Sequence, residues 1–317
     1  MPRNCSTICS VTTVTNETID SATAWARLAE QGIEVDTSGR RRWEYSYDAS
    51  NYRIRPAAVA FPRSAADVQA LLAVCRETGV PVTSRGGGTS MGGNSIGAGL
   101  VLDFSRYMRG VGEIEFDAAG EASAWVEAGA VLSELRGQLE RASGGSLTFA
   151  PDPSSHTRAT LGGSYGNDAC GNHSVAYGRT SHHVIEAEVI TADGARLIAG
   201  PGGVRPVDDE DAASRARADE LNDRLRALAD AHLAAFRTEL QTIPRQVSGY
   251  HLGHLLPEEG LDVAAALAGS EGTCATSCRR SGPSPQRSRG STRRSSTSCG
   301  ADAGPRAWTR CPRARRM

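Results

Sequence analysis

From Cys274 onwards the chain contains no Leu, Ile, Val, Phe or Tyr, so any apolar core has to be assembled from the residues before it. The same stretch carries eleven Arg against a single acid, Asp302, a local charge of +10. The chain as a whole stands at −1, which leaves residues 1–273 at −11. A near-neutral average thus conceals an acidic body and a basic extension. At 317 residues the body is long enough for a sizeable core. Residues 274–317 are expected to form a disordered basic tail. Residues 1–20, polar and rich in Thr and Ser, are expected to form a disordered start. The overall balance points away from a nucleic-acid partner.

The chain contains no Lys; all 35 basic residues are Arg. That excludes lysine-dependent chemistry, including a pyridoxal-phosphate Schiff base and a Walker A phosphate loop. Eight Cys are present (5, 9, 75, 170, 274, 278, 299 and 311), none in a CxxC pair. No apolar leader precedes them, so a reducing cytoplasm is expected in place of a disulfide framework. Cys75 and Cys170 read as small buried side chains. No run approaches the length of a membrane-spanning helix. His182 and His183, and His251 and His254, have no third metal ligand at suitable spacing, so they read as solvated or capping residues.

Apolar periodicity divides the body in two. A helix is expected from Ser21 towards Gln31, and a short strand over Ala57–Phe61. Ser64, with Asp67 three residues on, opens a helix carrying Val68, Leu71, Leu72 and Cys75, which Gly79 stops. Val80–Thr83 reads as the next strand. The resulting strand–helix–strand unit has right-handed parallel pairing as its default. Strands follow at Gly99–Phe104 and Ala122–Val126, then a helix with Leu132, Leu135 and Leu139 on one face. Phe149–Gly178 reads as a long loop. Val184–Ile190 and Arg196–Ile198 flank Ala192-Asp193-Gly194 as a hairpin. Residues 208–240 read as helical, with Leu221, Leu225, Leu228, Phe236 and Leu240 as the stripe. The pattern implies an α+β fold of two subdomains, about 45–105 and about 110–273.

Two glycine-rich loops sit beside these strands. In Arg85–Asn94 (RGGGTSMGGN), glycines let backbone N–H groups approach an anion closely, and Thr89 and Ser90 add hydroxyls. A dinucleotide fingerprint beginning at Gly86 would need Gly at position 91, where Met91 stands, and the loop leads to a strand, not a helix. The second cluster runs from Pro151 to Asn172 (PDPSSHTRATLGGSYGNDACGN). Its density of Gly and Asn favours unusual backbone angles over core building. Two such loops suit a long ligand held by backbone contacts. His156 and His173 lie in the second loop and could approach that ligand.

With Tyr45–Tyr52 (YSYDASNY), Tyr177–Thr180 (YGRT), Arg245–Tyr250 (RQVSGY) and Gly269–Thr273 (GSEGT), these blocks resemble the FAD-binding domain of the p-cresol methylhydroxylase and vanillyl-alcohol oxidase flavoproteins. Within that group the chain is most similar to bacterial FAD-linked D-2-hydroxyacid dehydrogenases. The resemblance spans roughly residues 40–275. It implies that Arg85, Gly86, Gly87, Gly88, Thr89 and Ser90 hold the FAD diphosphate. Pro151, Asp152, Thr160, Gly162, Gly163, Gly166, Asn167 and Gly178 would line the rest of the cofactor, and Glu271, Gly272 and Thr273 would close the site. Some members of the family bind flavin covalently through a His in the first loop. Thr89 stands there, so non-covalent FAD is implied. The resemblance also implies a small hydroxy acid as substrate and, in an intact protein, an electron acceptor or iron–sulfur partner. It assigns no catalytic residue. The alternative is a catalytically inactive flavin-domain remnant.

In the resembled family GSEGT is followed by an apolar strand, whereas here Cys274 onwards reads CATSCRRSGPSPQRSRGSTRR. A composition without Lys and rich in Arg, Ala and Gly suggests a GC-rich coding sequence. Its wrong-frame translation would yield Arg, Pro, Ser, Gly, Ala and Cys. Residues 274–317 are therefore expected to be frameshifted; a natural basic tail that binds nucleic acid weakly is the alternative. Translating the other two frames beyond codon 273 is expected to reveal an alternating apolar strand, and finding none in either frame would rule the frameshift out.

Overall fold

A computed structural model describes residues 21–116, 122–145, 147–240, 249–277 and 287–288. The expected disordered start and most of the expected tail lie outside the described residues, as do residues 245–248 of the RQVSGY segment.

The first half is a four-stranded sheet with helices packed on it. In chain order it comprises α1 (Ser21–Glu30), β1 (Val35–Asp36), α2 (Gly39–Glu44), β2 (Ala58–Ala60), α3 (Ala65–Thr78), β3 (Val82–Arg85) and β4 (Leu100–Asp103). The order across the sheet is β1-β2-β4-β3. Thus β2 and β3 are parallel, as the strand–helix–strand pattern suggests, but they are not neighbours. The very apolar Leu100–Asp103 strand is buried at every position and inserts between them, pairing parallel with both.

Helix α3 forms for local reasons. The Ser64 hydroxyl accepts the Asp67 N–H (3.2 Å), while the Asp67 carboxylate accepts the Arg63 N–H (2.8 Å), so first-turn donors are satisfied. Gly79 takes the left-handed conformation (φ 71°) and returns its N–H to the Cys75 carbonyl, ending the helix. Val68, Leu71, Leu72 and Cys75 then face the sheet, where Leu28, Leu100 and Leu102 complete the core.

The second half comprises β5 (Val111–Phe116), β6 (Ala122–Val126), α4 (Leu132–Ala142), α5 (Leu161–Asn167), α6 (Ser174–Tyr177), β7 (Val184–Thr191), β8 (Arg196–Gly200), β9 (Gly203–Pro206), α7 (Ala212–Ala231), β10 (Ala275–Ser277) and β11 (Arg287–Ser288). Its sheet runs β5-β6-β11-β7-β8-β9, with β10 beside β7. Ile190 of β7 reaches into the core of the first half, joining the two bodies.

Three expectations need correction. The segment Phe149–Gly178 is not a structureless loop, since it contains α5 and α6; the glycines of α5 had masked a helix. The expected helix is broken into pieces: α7 ends at Ala231, and Leu233–Ala235 and a π-turn over Phe236–Leu240 continue it. Phe236 is buried and Leu221 and Leu225 pack against the second core as expected, but Leu228 is exposed, and Asn222 pins α7 to β9 by bonding both the N–H and the C=O of Val204. Finally, the folded sheet runs past residue 273, because β10 pairs antiparallel with β7 in a regular register, Ala275 opposite Thr191 and Ser277 opposite Val189. Further along the chain, β11 also pairs antiparallel with β7, with Arg287 opposite Glu186.

Replacing Ser64 with Ala is expected to cost about 1 kcal/mol of stability by orphaning the Asp67 N–H. Urea unfolding checks this; an unchanged midpoint would show that the cap contributes nothing.

Candidate functional site

The two glycine loops meet each other. A Cβ built on Gly86 would lie 2.2 Å from the Thr160 hydroxyl, and one on Gly87 would lie 2.0 Å from the Arg158 carbonyl oxygen. Gly162 is equally constrained, since its Cβ would fall 2.6 Å from that of Ala128, and its N–H donates to the Ala128 carbonyl (2.8 Å). The glycines therefore serve first to let backbone pass against backbone, a role that the anion argument from sequence did not include.

The loops enclose a cavity of about 450 Å³ between the two halves. Of the residues singled out from the sequence, Arg85, Gly86, Gly87, Gly88, Thr89, Ser90, Thr160, Gly162, Gly163, Gly166, Asn167, Glu271 and Gly272 line it. Pro151, Asp152, Gly178 and Thr273 do not. Asp152 acts behind the wall, where its carboxylate accepts the His173 N–H (2.9 Å) and pairs with His173 Nδ1 (2.7 Å). Gly178 (φ 83°) turns the chain so that His182 Nδ1 accepts the Arg179 N–H (3.2 Å). Thr273 lines a neighbouring cleft beside α3. Neither His156 nor His173 reaches the cavity wall. Cys170, read as a buried structural thiol, is only half-buried and does line it.

Arg85 is held from several sides. It donates to the carbonyls of Tyr47 (3.0 Å) and Ser95 (3.1 Å), and its guanidinium lies 4.9 Å from the Tyr45 ring centroid. Burial pulls its pKa below the usual range, against the pull of Asp103, Tyr45 and Asp48. The Asp48 carboxylate accepts from Ser95 Oγ (2.9 Å) and the Ser50 N–H (2.9 Å). These bonds outweigh burial and hold Asp48 below the ordinary carboxylate range. The segment Ser46–Ser50 is thereby fastened under the first loop.

The opposite wall is set by α5. Thr160 caps it, accepting the Gly163 N–H (3.2 Å), and Glu271 (φ 52°) ties it to the GSEGT turn by donating its N–H to Gly166 (2.8 Å) and accepting from Asn167 Nδ2 (2.7 Å). At its far end Asp168 adopts the left-handed conformation (φ 51°) with its side chain fully buried. Its carboxylate accepts the Ser181 N–H (2.8 Å) and lies 3.1 Å from Arg179 Nε and 3.2 Å from His251 Nε2. Burial raises the carboxyl pKa, but the His251 and Ser181 bonds and the Arg179 charge prevail and lower it.

Asp168 thus holds His251, one of four histidines that the sequence analysis read as solvated or capping. His251 and His183 are buried, and burial pulls His183 down to about 3, so it is a neutral ring against Phe149. His182 does bond a backbone N–H, as a capping residue does. Among the described residues no group of three or more His, Cys, Asp or Glu is placed to hold a metal. No helix among them is long and apolar enough to cross a membrane.

The cavity suits a polar ligand of FAD's kind. Ser164 Oγ lines it, is buried and has no hydrogen-bond partner within the protein. Around it stand glycine backbone and the hydroxyls of Thr89, Ser90 and Ser155.

Asp168→Asn is expected to destabilise the fold by about 3 kcal/mol, because Arg179 and His251 lose their buried anion. The folded-state pKa lies below an unfolded value of about 3.9, so the wild-type advantage is present above that pH and lost as pH falls through the folded pKa. Urea unfolding from pH 7 downwards checks both the size and the sign. Parallel pH curves for the two proteins would contradict them.

Residues 56–200 match the family described as FAD binding domain. D-2-hydroxyglutarate dehydrogenase of Pseudomonas putida is 34% identical over 234 residues, covering 71% of this chain and 22% of that protein. The Escherichia coli protein of the same name is 33% identical over 262 residues, covering 78% and 24%. Glycolate oxidase subunit GlcD of Bacillus subtilis is 34% identical over 176 residues, covering 53% and 36%. Among solved structures, Physcomitrella patens BBE-like 1 is 24% identical with a TM-score of 0.47, covering 56% of this chain and 37% of that one. The chain thus spans 22–24% of the length of these D-2-hydroxyglutarate dehydrogenases. Residues 56–200 of this chain thus form an FAD binding domain of the p-cresol methylhydroxylase type, within which the paired glycine loops lie.

Proposed function

We propose that this chain is the cofactor-holding part of an FAD-linked oxidoreductase whose substrate is a D-2-hydroxy acid. The observation that carries the reading is the cavity itself, walled by two loops whose Gly86, Gly87 and Gly162 admit no side chain and by Ser164, whose buried hydroxyl has no partner within the protein. The substrate class comes from the relatives, which are D-2-hydroxyglutarate dehydrogenases and a glycolate oxidase subunit.

Flavin, when bound, supplies a two-electron acceptor for the hydrogen on the α carbon, chemistry that protein side chains lack. The residues of this chain bind and orient. The backbone of Gly86–Gly88, with Thr89 and Ser90, would hold the diphosphate, and Ser164 with the α5 backbone would bond the ring end. Attachment is non-covalent, because Thr89 offers no imidazole to the cofactor. A substrate carboxylate calls for a free guanidinium fork. Arg85 is the one Arg on the cavity wall among the described residues; its Nη1 is already engaged by the Tyr47 and Ser95 carbonyls, and its guanidinium lies over the Tyr45 ring. The reading therefore places the carboxylate clamp outside this cavity. Work in the cytoplasm or at the inner membrane face belongs to the same proposal.

Purified chain mixed with FAD and desalted is expected to be yellow. Acid precipitation should leave the colour in the supernatant, and D-2-hydroxyglutarate should not bleach it. Colourless protein would overturn the cofactor assignment; a yellow precipitate would overturn non-covalent attachment; bleaching would overturn the external clamp.

A further inference from the structure

Beyond the cavity, the wall that begins with Arg85 continues outward as a stack of alternating guanidinium groups and aromatic rings. Arg85 lies 4.9 Å from the Tyr45 ring, Arg41 lies 5.9 Å from Tyr45 and 5.3 Å from Phe61, and Arg106 lies 4.7 Å from Phe61. Arg106 also lies 5.3 Å from Tyr107, which Arg63 covers at 4.9 Å. Beside this stack, Arg55 lies 4.9 Å from the Trp43 ring, and Arg42 fastens α2 to the Pro56 carbonyl (2.7 Å).

Two features distinguish this face from ordinary surface. Trp43 is 52% exposed and Tyr107 44%, large rings that a solvated surface does not need. Among the described residues, the ion pairs of the region belong to Arg40, Arg41 and Arg109, while exposed Arg53, Arg55, Arg63 and Arg106 take part in none. Three of these uncompensated charges, Arg55, Arg63 and Arg106, lie over aromatic rings on a body whose sequence totals −11. Stacking restricts their side chains, so less rotamer entropy is lost when an anion arrives.

We propose that the face carrying Trp43, Arg55, Arg63, Arg106 and Tyr107 docks the acidic surface of a protein partner. Arg and exposed aromatics are the residues that concentrate binding energy at protein interfaces. A single-stranded nucleic acid fits less well. Its bases need open ring faces, and Trp43 and Tyr107 already carry guanidinium groups, while the acidic body repels a long polyanion. The proposal does not depend on whether the cavity holds flavin.

The test uses the full chain and fluorescein-labelled decaglutamate, with binding followed by anisotropy at low and raised salt. Arg63→Glu with Arg106→Glu is expected to weaken binding by about tenfold, and salt should weaken the wild type likewise. The same charge change in the basic extension, Arg293→Glu with Arg294→Glu, is expected to do less. A greater or equal loss from the extension variant overturns the proposal, because binding then follows net charge or the extension. Tighter, face-dependent binding of oligothymidylate than of decaglutamate overturns it in favour of nucleic acid. Thermal midpoints establish that the variants are folded. If the reversal unfolds the chain, Arg63→Gln with Arg106→Gln takes its place under the same criteria, with a loss of about threefold expected.

Discussion

The architecture depends on backbone meeting backbone where Gly86 and Gly87 pass Thr160 and Arg158. Any side chain at those two positions would drive the halves apart, because the opposing atoms are a capping hydroxyl and a main-chain carbonyl. Thr160 is committed in turn to capping α5, and its neighbours Ala159 and Leu161 bond to the strand-like segment ahead of α4. The cavity is therefore a consequence of how two sheets are joined, and its glycine wall serves the joint and the ligand together.

A buried ionic contact completes the second wall. Asp168 sits at the end of α5 in a left-handed conformation and draws Arg179 and His251 to it from distant segments. Taking that carboxylate out of water is tolerable because a backbone N–H and two cationic or polar side chains surround it. The result holds α5 at both ends, Thr160 at its start and Asp168 at its finish, so the hydroxyl of Ser164 keeps its place on the cavity wall. The Arg–aromatic stack extends the first wall outward in the same manner, with planar groups locked face to face.

Much of the fold was legible because it is locally coded. Ser64 and Gly79 bracket α3 by capping, and Leu100–Asp103 is apolar enough to be a central strand without help. What was hidden had non-local causes. Helix α5 was read as loop because LGGSYGN has poor helix propensity; its Thr160 cap is local, but its ties to Glu271 come from elsewhere in the chain. The buried state of His251 and His183 was invisible because their contacts, Asp168 for His251 and Phe149 for His183, are remote from them in sequence. Pro151, Asp152, Gly178 and Thr273 carried motif signal, yet they support the site from outside it.

By itself, the sequence determined that the apolar core is supplied ahead of the basic extension, that the cofactor loops contain no Lys, and which segments are helices and strands by capping and periodicity. Those properties follow from composition and short-range pattern, to which each residue contributes alone or with near neighbours. Only the tertiary structure decided that β4 separates β2 from β3, that the glycines serve loop-to-loop contact, and that β10 pairs with β7 beyond residue 273. Each of these depends on what stands opposite, whether a strand or a carbonyl, and such neighbours are set by the packing of distant segments.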